Sequence, residues 1–261
     1  TPFESRHPAR LNASVSIVMP LLNQRLFLSA AIDSVLGQSH DNLELIVADG
    51  GSTDGSLDML HEHARRDPRL QWSSSPDRGP AEAVNKATQL ARGEILGWLN
   101  ADDLYAGGAV GAAIDALTRN KSLQMVYGQA EFIDENGATA GRYPTKPPEA
   151  GLPAFGDGCF ICQPTVFLRK DAWVALGGLD TKLETAFDFD LWIRALKQWP
   201  AGIGFIDRVL ARSRQHTKTI TSAKRRQVAL EALSLLRRHL GLAPPHWLQT
   251  HWEEICRAHP D

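Results

Sequence analysis

The sequence predicts an α/β fold around a mostly parallel central sheet, and two observations carry that prediction. Apolar, β-branched runs alternate with stretches of helical periodicity through roughly the first hundred residues, an alternation that implies right-handed βαβ units. Pro20, Asp49, Asp77 and Asn100 to Asp103 fall where those strands would end, and open α/β sheets bind ligands outside the carboxyl ends of their strands. At 261 residues, 43% of them hydrophobic, the chain is long enough to bury a substantial core.

Val15 to Met19 reads as the first strand, and Arg25 to Gln38 as a helix with Leu28, Ala31, Ile32 and Val35 on one face. Leu43 to Ala48 is a second strand, stopped by the turn cluster DGGSTDG, with a helix over Ser56 to Arg66 and a weaker strand over Leu70 to Ser74. Pro80 to Ala91 is helical, Gly93 stands where its C-cap would fall, and Glu94 to Leu99 is a fourth strand. Beyond Asp103 the pattern becomes mixed. Met125 to Asp134 enters a hairpin at Glu135-Asn136-Gly137, Tyr143 to Gly158 is a Pro/Gly-rich loop, and Thr165 to Arg169 is a short strand. Phe189 to Gln198 reads as a helix, Ile203 to Val209 as a strand and Ser222 to Leu240 as an amphipathic helix stopped by Gly241 and Pro244-Pro245, with one more short helix over the last dozen residues.

The net charge of −2 offers no general field for nucleic acid. Basic residues do concentrate toward the end, where Arg194 to His239 holds eleven Lys or Arg against Asp207 and Glu231, so an anionic partner is expected there. The apolar runs are only strand-length and the polar start TPFESRHPARLNAS has no signal-peptide core. A cytoplasmic location is the default expectation, and three cysteines fit a reducing compartment.

Asp102 and Asp103 are adjacent at a strand end. Neighbouring carboxylates repel unless something neutralises them, and hard oxygen ligands in an open mouth suit Mg²⁺ or Mn²⁺ bridging to a phosphate. The competing reading is a helix N-cap, with Leu104 onward helical. In DGGSTDG, Asp49 can accept from a ribose hydroxyl or a base N–H, and Ser52 or Asp54 can cap the next helix. Ser56 stands where a Walker loop needs Lys, and no GxGxxG occurs. Asp188 and Asp190, around the start of a helix, either gain from its dipole or supply one base to the cleft. Cys159 and Cys162 form a CxxC with no second ligand pair to complete a zinc site. His216 follows Arg212 and Arg214, and is either a loop histidine or a contact for a diphosphate or metal. The helix from Ser222 to Leu240 rings Val228, Ala232, Leu235, Leu236 and Leu240 with Lys224, Arg225, Arg226, Arg237 and Arg238, which suits core packing or contact with anionic headgroups.

The order of these motifs (Pro20, LIVADGGSTDG, PDRGPAEAVNKATQLARGEILGWLNADD, CQPTVFLRKDAWVALGGLD, FDFDLWIR) resembles a family 2 glycosyltransferase with the GT-A fold, over roughly residues 15 to 216. The resemblance implies a Rossmann-like sheet with helices on both faces, a nucleotide-sugar-binding half over 15–103 and an acceptor and catalytic-base half over 104–216. An extension over 1–14 precedes these halves, and a C-terminal helical appendage over 217–261 follows them. It implies an inverting enzyme that moves a sugar from a nucleotide diphosphate, most often UDP, to a hydroxyl of a glycan or lipid-linked acceptor, with a divalent cation as cofactor. Carried over residue by residue, Asp49 reads the base with Pro20, Leu21 and Ser52 around it, and Asp77 and Arg78 lie near the nucleotide or its phosphates. Asn100, Asp102 and Asp103 occupy the DxD region, with Asp102 as the metal ligand, and His216 lies near the diphosphate. Gln163, Pro164 and Thr165 line the acceptor side, and Asp188 matches the general base of the ED motif. Two positions depart from the family pattern: Asn100 replaces the first aspartate of DxD, and Phe187 the glutamate of ED. The reading carries with it bacterial surface polysaccharide or lipopolysaccharide synthesis and a peripheral contact at the inner membrane face. Its rivals are a module that binds a nucleotide sugar or glycan without turnover, and a nucleotidyltransferase, which would need a phosphate loop that the sequence lacks.

Overall fold

The computed structural model describes residues 13–258; the extension expected over 1–14 lies almost wholly outside them. Nine strands form one sheet in the order β3-β2-β1-β4-β8-β6-β9-β5, with β7 paired to β6. The first half is β1 (Val15–Leu21), α1 (Arg25–Leu36), β2 (Leu43–Asp49), α2 (Ser56–Arg66), β3 (Leu70–Ser74), α3 (Pro80–Leu90) and β4 (Ile95–Trp98). All its strand pairs are parallel, as the alternating pattern requires. The order reverses direction at β1, which leads to β2 on one side and has β4 on the other; this is where such sheets open a crevice for ligands.

The second half is mixed, as expected. It comprises β5 (Leu104–Tyr105), α4 (Ala109–Arg119), β6 (Met125–Ile133), β7 (Thr139–Arg142), β8 (Phe167–Arg169), α5 (Lys170–Leu176), α6 (Phe187–Gln198) and β9 (Ile203–Arg214). β8 runs antiparallel to β4 and β6, while β6 and β9 are parallel to each other. The chain continues through α7 (Ile220–Ala223), α8 (Arg225–Leu240) and α9 (Pro245–Ala258).

Side chains alternate across the strands, and each face of the sheet has its own core. Ile17, Met19, Leu45 and Val47 pack with α1 and α4 on one face. Val18, Ile46, Leu96 and Trp98 pack on the other with Val84 of α3, Trp192 of α6, and Ala232, Leu235 and Leu236 of α8. The segment expected as an appendage therefore contributes α8 to a main core. Helices do cover both faces, and the fold is the expected GT-A type.

Several elements differ from the sequence reading, each for a physical reason. β1 runs through Pro20 because its pairing with β4 ends at Val18 and Trp98, so the missing N–H forfeits no ladder bond. Leu104 does not open a helix; it starts β5, which exists only by pairing with β9, and α4 begins at Ala109. β9 extends past Val209 to Arg214 because its second half has partners on both edges, β5 and β6. At Gly97 of β4 a Cβ would lie 2.6 Å from Ile17 Cδ1 and 2.7 Å from the Tyr105 hydroxyl, so a side chain there would separate the sheet from the site loop.

Candidate functional site

Register places Leu21, Asp49 and Ser74 side by side at the carboxyl ends of β1, β2 and β3. Asp49 is buried and accepts from the backbone N–H groups of Gly51 (2.9 Å) and Ser52 (3.0 Å) and from the hydroxyls of Ser52 and Ser74. Three of these donors reach Oδ2 and the Ser52 hydroxyl reaches Oδ1. Ser52 Oγ in turn accepts from Asn23 N–H at 2.8 Å, Asn23 Oδ1 from Thr53 N–H at 2.8 Å, and the Asp54 carboxylate from Arg25 N–H at 2.9 Å. The loops after β1 and β2 thus form one hydrogen-bonded unit, with Pro20 and Leu21 buried at its base. Asn23 and Ser74 escaped the sequence reading because their importance depends on strand register.

Asp77 leans over this unit. Its Oδ1 accepts from Gly79 N–H at 2.9 Å, and its Oδ2 lies 2.8 Å from where a Cβ on Gly50 would be, so the glycine makes room for the carboxylate. Arg78 is exposed and paired along α3 with Glu82 at 2.7 Å. The pairing with Arg78, reinforced by Lys86, holds the Glu82 carboxyl down to about 2.

After β4 the two adjacent carboxylates diverge. Asp103 turns inward, where its Oδ1 accepts from Arg214 N–H at 2.8 Å and its Oδ2 from Asn100 Nδ2 at 3.3 Å. Burial, with Asp102 adding, pushes its pKa well up. Asp102 keeps partial exposure, with its Oδ2 3.0 Å from His216 Nε2. Arg214 locks this arrangement: Nε donates to the Asp102 carbonyl (2.8 Å), Nη1 donates to the carbonyls of Asp134 and Glu135, and the guanidinium lies 4.6 Å from the centre of the Phe27 ring. His216 packs against the same ring at 5.0 Å. Arg214 was read only as a basic neighbour of His216. Its structural part follows from the extension of β9, which no local signal announces.

Asn100 is spent internally: Oδ1 accepts from Trp98 Nε1 and Nδ2 donates to Gln163 Oε1, both at 3.0 Å. Gln163 also donates to the Trp98 carbonyl. Position 100 therefore joins the strand-end loop to the 163–165 turn. Pro164 and Thr165 are buried, and the Thr165 hydroxyl donates to the Cys162 carbonyl at 2.7 Å within its own turn. Phe187 stacks on Trp98 with ring centres 5.7 Å apart, and this tethers the start of α6 to the same strand end.

Asp188 lies in the first turn of α6, and its Oδ1 accepts from Phe189 N–H at 2.7 Å. Burial pushes its carboxyl up to about 6. Asp190 is instead committed to structure, bridging Arg194 at 2.7 Å and His239 of α8 at 3.3 Å. Burial pushes both the Cys159 and the Cys162 thiol up, which leaves them poor nucleophiles and poor metal ligands. Tyr143, whose hydroxyl donates to the Cys159 carbonyl at 2.8 Å, is raised by burial and also feels Asp188.

Among the described residues no three His, Cys, Asp or Glu cluster as a metal cage. The donor set instead pairs one partly exposed carboxylate, Asp102, with one imidazole, His216, which fits a cation that takes its remaining oxygens from a bound phosphate. No helix among the described residues is long and apolar enough to cross a membrane.

Comparison with known proteins bears on the family and the fold. The family model described as Glycosyl transferase family 2 matches residues 16–175, more than half of the chain. An Escherichia coli chondroitin synthase is 29% identical over 189 residues, covering 71% of this chain and 27% of that protein. The chain spans about a third or less of the length of the first curated relatives it matches. Among solved structures, S. aureus TarS 1-349 in complex with UDP-GlcNAc superposes with a TM-score of 0.68 at 17% identity, over 95% of this chain and 73% of that one. A mannosyltransferase from Pyrobaculum calidifontis in complex with GDP-Man and Mn²⁺ gives 0.68 at 18% identity, over 94% and 70%.

Proposed function

We infer, from the premise that this chain belongs to glycosyl transferase family 2, that it transfers a sugar from a nucleotide diphosphate, UDP in the first instance, to an acceptor hydroxyl with inversion at the anomeric carbon. The observation that carries the reading is that Phe187 stacks on Trp98 with ring centres 5.7 Å apart, which holds the start of α6, with Asp188, against the end of β4, where Asp102 meets His216 at 3.0 Å. In-line displacement needs a leaving diphosphate on one side of the sugar and a base on the other. The relatives add support: TarS 1-349 is bound to UDP-GlcNAc and the mannosyltransferase to GDP-Man with Mn²⁺.

The unit built by Asp49 holds the β1 and β2 loops against the nucleotide, with Pro20, Leu21, Ser52 and Asp77 lining it and Arg78 free to swing from Glu82 toward phosphate. Asp49 acts chiefly as organiser of that unit, since its oxygens already hold four donors. Asp102 with His216 would hold Mn²⁺ or Mg²⁺, which when bound offsets the charge developing on the departing diphosphate. Asp103 and Arg214 keep the Asp102 loop in place. Asp188 takes the proton of the acceptor hydroxyl; a carboxyl near 6 is ionised at neutral pH yet more basic than an exposed one, as a general base requires. Gln163, Pro164 and Thr165 form the wall between the donor loop and the acceptor.

The acceptor is a glycan or a lipid-linked saccharide of a bacterial surface polysaccharide or lipopolysaccharide. The basic faces of α8 supply the contact with an anionic lipid surface if the acceptor is membrane-borne. A thermal-shift panel of UDP, GDP, dTDP and CMP nucleotides and common UDP-sugars, each with Mn²⁺ and with EDTA, tests the reading, because a ligand that binds only the native state raises the midpoint. A metal-dependent shift with one nucleotide fixes the donor base. No shift with any of them, in a folded sample, defeats the donor assignment. Metal-dependent binding without transfer or donor hydrolysis would favour the binding-module reading, toward which the internally spent Asn100 points.

A further inference from the structure

Asp188 owes its place to the backbone: among the described residues its carboxylate is held by the Phe189 N–H and by no other side chain. The segment leading into α6 is itself held from far away. Glu231 of α8 is 8% exposed and accepts from the backbone N–H groups of Glu184 (2.9 Å), Thr185 (2.9 Å) and Ala186 (2.8 Å), and from the Thr185 hydroxyl (2.8 Å). Gln227, one turn earlier on α8, donates at 3.0 Å to Oε1, the oxygen that also takes the Glu184 N–H. A helix start leaves its first N–H groups without partners and carries positive potential, so a carboxylate there is favourable twice over. Ala186 provides no side-chain cap of its own.

We propose that Glu231 is a positioning residue for the transfer reaction, its carboxylate gripping the 184–186 backbone and so fixing where Asp188 projects into the cleft. Phe187 stands where the ED pattern has a glutamate, and a carboxylate reaches this helix start all the same, from α8. The grip has company. Lys224 of α8 pairs with Glu184 at 3.1 Å, and His239 meets Asp190 one turn into α6 at 3.3 Å, so α8 holds α6 before and after Asp188. A buried carboxylate costs stability unless it is fully bonded. Glu231 is fully bonded, and every bond beyond that to Gln227 goes to the three residues ahead of Phe187.

The proposal rests on Asp188 acting as the base, and its test separates the two. Side-chain carboxyl groups are followed by carbon-13 NMR against pH in the parent protein and in Glu231→Ala, with Asp188 assigned by its loss in Asp188→Asn. The titration midpoint of Asp188 is expected to fall from about 6 toward the exposed range of about 4 as the helix start loosens and water reaches it. In parallel, nucleotide release from UDP-GlcNAc and GDP-mannose with Mn²⁺ is expected to drop about 10–100-fold in kcat in Glu231→Ala with donor KM unchanged, in line with the cost of small displacements of a reacting group. Glu231→Gln, which keeps one of the two acceptor oxygens and removes the charge, restores part of the loss. It also replaces the alanine variant if that one does not fold. An unmoved midpoint overturns the proposal, even where the thermal midpoint drops. If Asp188→Asn retains full turnover, the base assignment fails while the titration still reports whether Glu231 holds the residue. Adding Glu231→Ala to Asp188→Asn should cost no further turnover, and a full additional loss would show that Glu231 acts elsewhere.

Discussion

Replacing Asp188 by Asn removes a base and a partly buried charge at once, and the two effects separate with pH. Loss of a positioned general base costs typically about 10²–10⁴-fold in rate, so kcat should fall by that factor with donor KM near its parent value. In the parent protein a carboxyl near 6 is about one-tenth ionised at pH 5, so turnover should rise with pH to a plateau above about 7. The stability effect runs opposite to that of an ion-paired carboxylate. Here burial raises the folded pKa above its ordinary 3.8, so the native state keeps a proton that the unfolded chain has released, and stability declines as pH rises from about 4 to 6. Above that window the penalty is constant at about 3 kcal/mol, from 1.36 kcal/mol for each pH unit of the rise. Asn cannot ionise and escapes it, though its amide must find partners in the same pocket. Asp188→Asn should therefore melt several degrees higher than the parent at pH 7.5 and lose that advantage below about pH 4, by scanning calorimetry across pH. A variant that keeps its turnover sinks the base role, and a stability change independent of pH refutes burial as the cause of the shift.

The other perturbations address the donor side and the core. Asp102→Ala should abolish the Mn²⁺-dependent part of the thermal shift given by the donor nucleotide while leaving the apo midpoint within a few degrees; metal dependence that survives would remove Asp102 as ligand. Asp49→Ala leaves two backbone N–H groups and two hydroxyls without their acceptor, at about 1–3 kcal/mol for each group that water cannot reach, so urea unfolding should show a clear loss and donor KM should rise more than kcat falls. Gly97→Ala brings a methyl within 3 Å of Ile17 and the Tyr105 hydroxyl and should cost about 1–3 kcal/mol by overpacking, read as a lower denaturation midpoint with an unchanged slope. Leu235→Ala in α8, at a fully buried site, should cost about 2–5 kcal/mol, and a value near zero would mean that the C-terminal segment is not part of the core.

The parallel half of the fold was legible because its evidence is local. LELIVA and VSIVM are buried strands whatever lies beside them, and Leu28, Ala31, Ile32 and Val35 mark a helix face by spacing alone. What stayed hidden depends on partners. β5 is two residues long and has no existence apart from β9, and the ARSR end of β9 carries charges that look like a loop until two neighbouring strands are supplied. α4 went unassigned although Val110, Ala113, Ile114 and Leu117 recur at helical spacing in AVGAAIDALTR; the small side chains and Gly111 give that face little apolar weight by residue type.

The site divides along the same line. Asp49, Asp102, Asp103, Asp188 and His216 could be picked out by residue type at a strand or helix end, since a carboxylate there needs a reason to be tolerated. Their division of labour could not. Two adjacent aspartates point opposite ways because the loop after β9 brings one imidazole to the first and the end of β9 one backbone N–H to the second: His216 meets Asp102, and Arg214 N–H fixes Asp103 inward. The repulsion that makes the pair look costly in the sequence is relieved by separating their tasks, one carboxyl driven toward its neutral form in the interior and one partly exposed and paired with His216. Glu231 shows the same logic at longer range, in a helix whose sequence speaks only of leucines and arginines. The placement of a reactive carboxylate is thus a property of the elements that clamp it, and those elements come from parts of the chain that carry no motif.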